Sequence, residues 1–91
     1  MNNYTDALKN TLVSLSLFDE IGSKHGIAYA SINIGYIYTR QKKYKEASAF
    51  LTKGLALAKE MKAIEMIRNS YSNMVALDSA TGNFKQAFEH H

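Results

Sequence analysis

The sequence repeats itself with a period of forty residues, and this repetition favours folds built from stacked copies of one unit. Sliding the chain by forty places aligns Tyr4 with Tyr44 and Phe84, and Ala7 with Ala47. Between these anchors the chemistry of the side chains is also retained, in the pairs Leu15 and Leu55, Ile27 and Ile67, Asn33 and Asn73, Ile37 and Leu77. A repeat architecture is therefore the first prediction.

Each unit carries apolar residues at steps of three and four, which is the spacing of one face of an α-helix. The chain has no proline and only five glycines, so little interrupts a helix. The pattern predicts an all-α protein with helices at about Tyr4–Ile21, Gly26–Gln41, Tyr44–Lys62 and Ile64–Ala80. Gly82-Asn83 then predicts a helix stop, and Phe84–His91 the start of a fifth helix.

Small residues stand at positions where two helices would meet. Gly35 lies midway along the second predicted helix, and Ala47 and Gly54 lie on the third. Glycine inside a helix costs about 1 kcal/mol relative to alanine, so we expect Gly35 and Gly54 to serve a close contact. Replacing Gly35 with leucine is predicted to loosen or unfold the stack.

Two short motifs stand between residues 28 and 58. An aliphatic residue followed by glycine and tyrosine appears in Ile34-Gly35-Tyr36-Ile37-Tyr38. An aromatic residue, an alanine three places on and a large apolar residue four places later appear as Tyr44, Ala47 and Leu51. This combination resembles the tetratricopeptide repeat family, and the copies near Ala7 and Phe84 extend the resemblance over nearly the whole chain.

The resemblance implies antiparallel helix-turn-helix repeats stacked as a right-handed α-solenoid, with a partial repeat at 1–24, a full repeat at 25–62 and a partial repeat at 63–91. The usual repeat has about 34 residues and often ends in proline, where this chain has Lys59. The longer period is similar to the repeats of bacterial regulators and sensor kinases. We expect a fragment of a larger protein, or a homo-oligomer in which exposed terminal helices complete one another.

In this family the first helix of each unit lines a concave groove that binds a protein or peptide ligand. Carried over by matching positions, the groove residues are Tyr29, Ile32, Asn33, Tyr36, Arg40, Asn69, Ser72, Asn73 and Ala76. Asn33 and Asn73 lie one repeat apart, and their amides can donate to and accept from an extended peptide backbone. The alternative for both is a hydrogen bond within the helix stack.

The chain offers little for catalysis, and we predict a non-enzymatic protein without a cofactor or metal. His25 falls in the predicted Gly22–Gly26 connection, where a solvent-exposed loop is the expected setting, and His90 and His91 end the chain. The connection lacks the Gly-Lys-Ser/Thr ending of a phosphate-binding loop. The candidate carboxylate pairs lie near helix ends with lysines close by, which is typical of solvated surface charge: Asp19, Glu20, Glu60 and Glu65.

The net charge of +3 arises partly from four basic residues around one turn, Arg40, Lys42, Lys43 and Lys45. Without stacking or base-reading groups in register, we interpret this patch as a solvated turn and expect no nucleic-acid ligand. No apolar run is long enough to predict a membrane span. The absence of cysteine is compatible with the cytoplasm and with the periplasm.

The predicted function is therefore a protein or peptide interaction module that uses the groove of a helical repeat. The alternative is a sensory or regulatory segment of a larger bacterial signalling protein, such as a sensor kinase or transcriptional regulator, in which a bound peptide changes the curvature of the stack. A kinase or DNA-binding domain in the same protein would favour the alternative, and a scaffold with many partners would favour the first.

Overall fold

The computed structural model describes residues 3–81 of the chain. These residues form four α-helices, α1 (Tyr4–Ile21), α2 (Lys24–Arg40), α3 (Tyr44–Met61) and α4 (Ile64–Thr81), and contain no strand. The predicted all-α class is confirmed. The helix stop at Gly82-Asn83 and the fifth helix predicted at 84–91 lie outside the described residues.

The period of forty recurs in the helix boundaries. Helices α1 and α3 begin at Tyr4 and Tyr44 and end at Ile21 and Met61, so each boundary shifts by forty residues. Helices α2 and α4 likewise begin at Lys24 and Ile64. The repetition in the sequence therefore places equivalent helices at equivalent positions along the chain.

The connections between the helices are short and use the left-handed backbone conformation. Gly22 ends α1 with a φ of 70°, and Lys62, at the equivalent position after α3, has a φ of 57°. Lys42, which follows α2, has a φ of 65°. Lysine adopts this conformation at a cost that glycine does not have, because its Cβ atom approaches the backbone. Two of the three connections therefore carry backbone strain.

Helix α2 begins two residues before its predicted start. The Ser23 side chain accepts a hydrogen bond from the backbone N–H of Gly26 at 3.1 Å and so caps the helix. The connection from α1 to α2 is thus shorter than predicted, and His25 lies in the first turn of α2 rather than in a loop.

Helices α2 and α3 pack antiparallel and in close contact. A Cβ atom on Gly35 would lie 2.5 Å from Cγ of Leu51, and one on Gly54 would lie 2.6 Å from Cγ1 of Ile32. On each helix, therefore, a glycine makes room for a large side chain of the other helix. This agrees with the prediction that Gly35 and Gly54 serve a close contact between helices. The cluster of buried apolar residues at the core comprises Ala28, Ile32, Ala47, Leu51, Ala58, Met66 and Leu77.

Helix α3 lies between two partners, since it contacts both α2 and α4, while α1 packs on α2. Contacts also join α2 directly to α4. As a result α3 buries four residues and α1 buries none. Among residues 3–81, no helix is long and apolar enough to cross a membrane.

Candidate functional site

Two clefts lie between α2 and α4, where the two helices run side by side. The first cleft has a volume of about 340 Å³ and is lined by Tyr36, Thr39, Arg40, Lys42, Tyr44, Asn73, Ala76 and Ala80. The second has a volume of about 410 Å³ and is lined by His25, Tyr29, Ala63, Ile64, Glu65, Met66 and Asn69. The second cleft is lined by the early residues of both helices and the first cleft by their later residues, so α2 and α4 are parallel and the two clefts lie in a row along them. We call this row of clefts the groove.

The spacing of the helix explains why these side chains share the groove. On α2, Tyr29, Asn33, Tyr36 and Arg40 follow at steps of four, three and four, which places them on one helix face. On α4, Asn69, Asn73, Ala76 and Ala80 follow the same steps and form the facing line. The groove is therefore built from equivalent faces of two repeated helices.

Six of the nine predicted groove residues line the clefts. Tyr36, Arg40, Asn73 and Ala76 meet in the first cleft, and Tyr29 and Asn69 in the second, as the cleft linings above show. Asn33 is partly buried between them on the same face of α2, and Ser72 is exposed on α4 but lines neither cleft.

Ile32 is not a groove residue. Its side chain is 6% exposed and belongs to the core, where it packs beside Gly54 of α3. One residue along a helix turns the side chain by about 100°, so Ile32 faces α3 while its neighbour Asn33 faces the groove side. The prediction that Ile32 contacts a ligand is corrected on this ground.

Two tyrosines give the groove its exposed aromatic surface. Tyr29 is 57% exposed and Tyr36 is 44% exposed. By contrast, Tyr38 is partly buried and its ring centroid lies 5.8 Å from that of Phe50. Tyrosine is enriched where proteins bind one another, because it combines a large apolar ring with a polar hydroxyl group. Tyr29 and Tyr36 are thus available to a ligand, while Tyr38 serves the core.

Arg40 is held at the edge of the first cleft by α1. Its Nε–H donates a hydrogen bond to the phenol oxygen of Tyr4 at 3.1 Å, and its guanidinium carbon lies 6.0 Å from the centroid of the Tyr4 ring. This hydrogen bond lowers the pKa of Tyr4 below its ordinary value and raises the pKa of Arg40. The guanidinium therefore remains cationic, and Tyr4 helps to orient it.

The two clefts differ in charge. Arg40 and Lys42 line the first cleft, and no carboxylate is among its lining residues. The second cleft contains one carboxylate, that of Glu65, beside apolar side chains such as Ile64 and Met66. A ligand that spans the groove thus meets a cationic site at one end and a largely apolar one at the other.

Asn33 and Asn73 differ in whether their side chains form a hydrogen bond. Asn73 donates from Nδ2 to the backbone oxygen of Asn69 at 2.9 Å, one turn earlier in α4. This is the local bonding that was the alternative to a ligand contact, and it leaves the amide oxygen of Asn73 as an acceptor. Within residues 3–81, no hydrogen bond involves the Asn33 side chain.

The sequence patterns did not point to several cleft residues. Thr39 has a hydroxyl that donates to the backbone oxygen of Gly35, and Lys42 and Tyr44 come from the turn and the start of α3. Only the packing of α2, α3 and α4 brings them together. Ala80 is different, because it continues the line of Asn73 and Ala76 by one more turn and the spacing alone identifies it.

Within residues 3–81, no three His, Cys, Asp or Glu side chains converge on a point that could hold a metal ion.

A scan against protein-family models and searches of curated proteins and of solved structures find no match to this chain.

Proposed function

We propose that this chain is a segment of a right-handed α-solenoid of the tetratricopeptide type, and that it binds a protein or peptide segment in the groove between α2 and α4. The observation that carries this proposal is the pair of clefts along the groove, each lined by side chains of both helices and each containing an exposed tyrosine.

The solenoid is supported by the shift of forty residues between equivalent helix boundaries. Stacking units of the same shape by the same step produces a superhelix, whose inner surface is formed by one helix of each unit. Helices α2 and α4 are equivalent in this sense and lie side by side. A ligand that lies along them therefore contacts two units at once.

The length of the groove suits an extended segment. The second cleft is centred near Met66 and the first near Ala76, ten residues apart on α4. At 1.5 Å per residue of helix, the clefts are about 15 Å apart, a distance that about four or five residues of extended peptide span. We therefore expect a short peptide with one side chain in each cleft.

The side chains that line the groove are suited to binding and orienting a ligand rather than to a chemical reaction. The polar groups that line the clefts are amides, phenols, cations and the hydroxyl of Thr39, which is buried and donates to the backbone oxygen of Gly35, together with a single carboxylate and one histidine, both in the second cleft. These groups can hold a backbone and the ends of side chains, and no nucleophile with an adjacent base is among them. We propose a binding role without catalysis.

The experiment is selection of binding peptides from a random phage-displayed library, followed by titration of a recovered synthetic peptide. The double variant Tyr29→Ala and Tyr36→Ala is expected to lose at least about tenfold in affinity, because exposed aromatic residues dominate such interfaces. Tyr71→Ala is the matched control, since Tyr71 is a 47% exposed tyrosine on α4 that lines neither cleft. Circular dichroism checks that each variant remains helical.

Equal affinity for wild type and the double variant would contradict the proposal, as would amide chemical-shift changes confined to α1 and α3 when the peptide binds. Replacing Asn33 and Asn73 together with alanine separates their two roles. Weaker peptide binding with unchanged stability indicates a ligand contact, whereas lower stability with unchanged binding indicates a structural role.

A further inference from the structure

The exposed face of α1 carries a continuous apolar stripe. Val13, Leu17 and Ile21 follow at steps of four and are 55%, 56% and 74% exposed. We call these three residues the α1 stripe. No element within residues 3–81 covers it. Single exposed apolar residues are common on protein surfaces, but a contiguous row along one helix is typical of an interaction site.

Helix α3 shows how two of the three stripe positions are used when a neighbour is present, whereas Lys53, the residue equivalent to Val13, is exposed. Leu57 and Met61, forty residues after Leu17 and Ile21, are partly buried and pack against the core cluster. The start of α2 lies along this end of α3, because Lys24 forms an ion pair with Glu60 at 2.6 Å. Leu17 and Ile21 of the α1 stripe therefore occupy positions at which this fold packs another helix.

The outer face of α4 does not match that position in a second copy. Helix α2 approaches α3 through small or apolar residues, and Gly35 leaves no room for a Cβ atom beside Leu51. Forty residues later, α4 carries residues that are exposed and larger or polar: Arg68, Ser72, Val75. Val75, the residue of α4 equivalent to Gly35, prevents an equally close approach. Head-to-tail stacking of α4 on α1 of a second copy is therefore disfavoured.

The charges beside the stripe fit a second α1 in the opposite direction. Lys9, Val13 and Glu20 follow at steps of four and seven, so the lysine and the glutamate flank the same side of the stripe, at opposite ends of the helix. A two-fold axis midway between Val13 and Leu17 would place Val13 on Leu17 of the second copy, and Lys9 beside Glu20 of the second copy. A parallel pair would leave Lys9 and Glu20 of the two copies at different heights along the helices, so it would lack this pairing of opposite charges.

We propose that two copies of this chain associate through the α1 stripe as an antiparallel, two-fold symmetric helix pair. Each copy contributes the same residues, so the interface is closed and forms a dimer rather than a filament. One helix face per copy lies at the small end of interface sizes, so the dissociation constant is expected in the micromolar range. The dimer does not depend on the groove between α2 and α4 having a ligand.

The test is sedimentation equilibrium of the whole chain from low micromolar to millimolar concentration. The wild type is expected to pass from monomer to dimer over this range. Leu17→Glu is expected to raise the dissociation constant at least about tenfold, because it places two carboxylates in the apolar centre of the pair. Leu17 is exposed, so the helical circular dichroism signal is expected to remain.

Val75→Glu is the matched control, since Val75 is a 66% exposed residue on α4. It is expected to leave the dissociation constant unchanged. A wild type that stays monomeric at millimolar concentration overturns the proposal. Equal weakening by Val75→Glu also overturns it, because that result indicates head-to-tail stacking through α4.

A charge exchange tests the antiparallel direction. Lys9→Glu and Glu20→Lys are each expected to weaken the dimer, and the double variant to restore wild-type affinity by re-forming the pair with reversed charges. If the double variant is as weak as the sum of the two single variants, the proposed juxtaposition of Lys9 and Glu20 is wrong.

Discussion

Helices α1 and α3 occupy equivalent places in the repeat, yet they contribute differently to the fold. Their boundaries differ by forty residues at both ends. Helix α3 nevertheless buries Ala47, Leu51, Gly54 and Ala58, while α1 buries no residue. The reason is the number of neighbours, because α3 lies between α2 and α4 while α1 packs on α2. The local pattern thus decides where a helix forms, and the neighbours decide how much of it is buried.

The contacts of α2 with its two partners differ in the same way. Toward α3, Gly35 accommodates Leu51 and Gly54 accommodates Ile32, so close packing is reciprocal. Between α2 and α1, only α2 contributes a glycine to the contact. Gly26 makes room for the Phe18 ring, and α1 contains no glycine that makes room for a side chain of α2. We therefore expect substitutions between α2 and α3 to cost more than equivalent ones elsewhere.

Gly35→Leu is expected to have the largest effect. A Cβ atom at Gly35 would lie 2.5 Å from Leu51 and 3.3 Å from the backbone oxygen of Ala47, so the larger side chain forces α2 and α3 apart. The expected loss is about 3 kcal/mol or more, enough to unfold much of a small domain. Val75→Leu, at the equivalent exposed position of α4, is expected to change stability by less than about 0.5 kcal/mol. The melting temperatures of both variants, measured by thermal unfolding, test this difference. An unchanged melting temperature for Gly35→Leu would contradict the close packing of α2 and α3.

Leu51→Ala compares equivalent positions of α3 and α1 directly. Leu51 is fully buried, so its truncation is expected to cost about 2–5 kcal/mol through lost burial and a residual cavity. Thr11 holds the same place in α1 and donates a hydrogen bond to the backbone oxygen of Ala7. Thr11→Ala is expected to cost less than about 1 kcal/mol. Urea denaturation measures both, and losses of similar size would show that α1 is as well packed as α3.

Lys62→Gly tests the strain at the end of α3 against the unstrained end of α1. Lys62 has a φ of 57°, where Gly22 has the equivalent place with a φ of 70°. Glycine removes the clash of Cβ but makes the unfolded chain more flexible, so a net gain of about 0.5–1 kcal/mol is expected. Gly22→Lys is the reciprocal variant, and its expected loss is similar. A lower melting temperature for Lys62→Gly would argue against a left-handed Lys62.

Glu60→Gln is expected to have the smallest effect. The ion pair of Glu60 with Lys24 joins α3 to α2, but both side chains are more than half exposed, so water and salt screen it. The expected loss is below about 0.5 kcal/mol and disappears in high salt. Glu20→Gln, at the equivalent place of α1, serves as the control at concentrations that favour the monomer. A loss for Glu60→Gln that persists in molar salt would contradict a screened pair.

The helices could be predicted from the sequence because their signals are local. Apolar spacing gave four helices whose ends agree with the structure within about two residues, the usual scatter of helix ends. The predicted start of α2 at Gly26 is two residues too late, because the prediction assigns Ser23, Lys24 and His25 to the connection. In the structure Ser23 caps the helix, and Gly26 is a packing position against Phe18. The capping role of a serine was the signal that could have corrected it.

The groove could be predicted in part. The predicted positions of Tyr29, Tyr36 and Arg40 come from the resemblance to a repeat family, and in the structure these residues share one face of α2. The prediction of Ile32 as a groove residue is wrong, because one step along the helix turns a side chain by about 100°, from the groove to the core. Lys42 and Tyr44 could not be found this way, because the position of a turn relative to a distant helix depends on tertiary packing.

Hydrogen exchange of α1 and α3 tests the central claim that equivalent helices differ because of their neighbours. At low micromolar concentration, where the monomer dominates, amides around Leu51 are expected to exchange only through global unfolding. Amides around Thr11 are expected to exchange through local opening at a clearly lower free energy. Equal protection of the two helices in the monomer would contradict the account, because it would mean that α1 is held as firmly as α3 without a second neighbour.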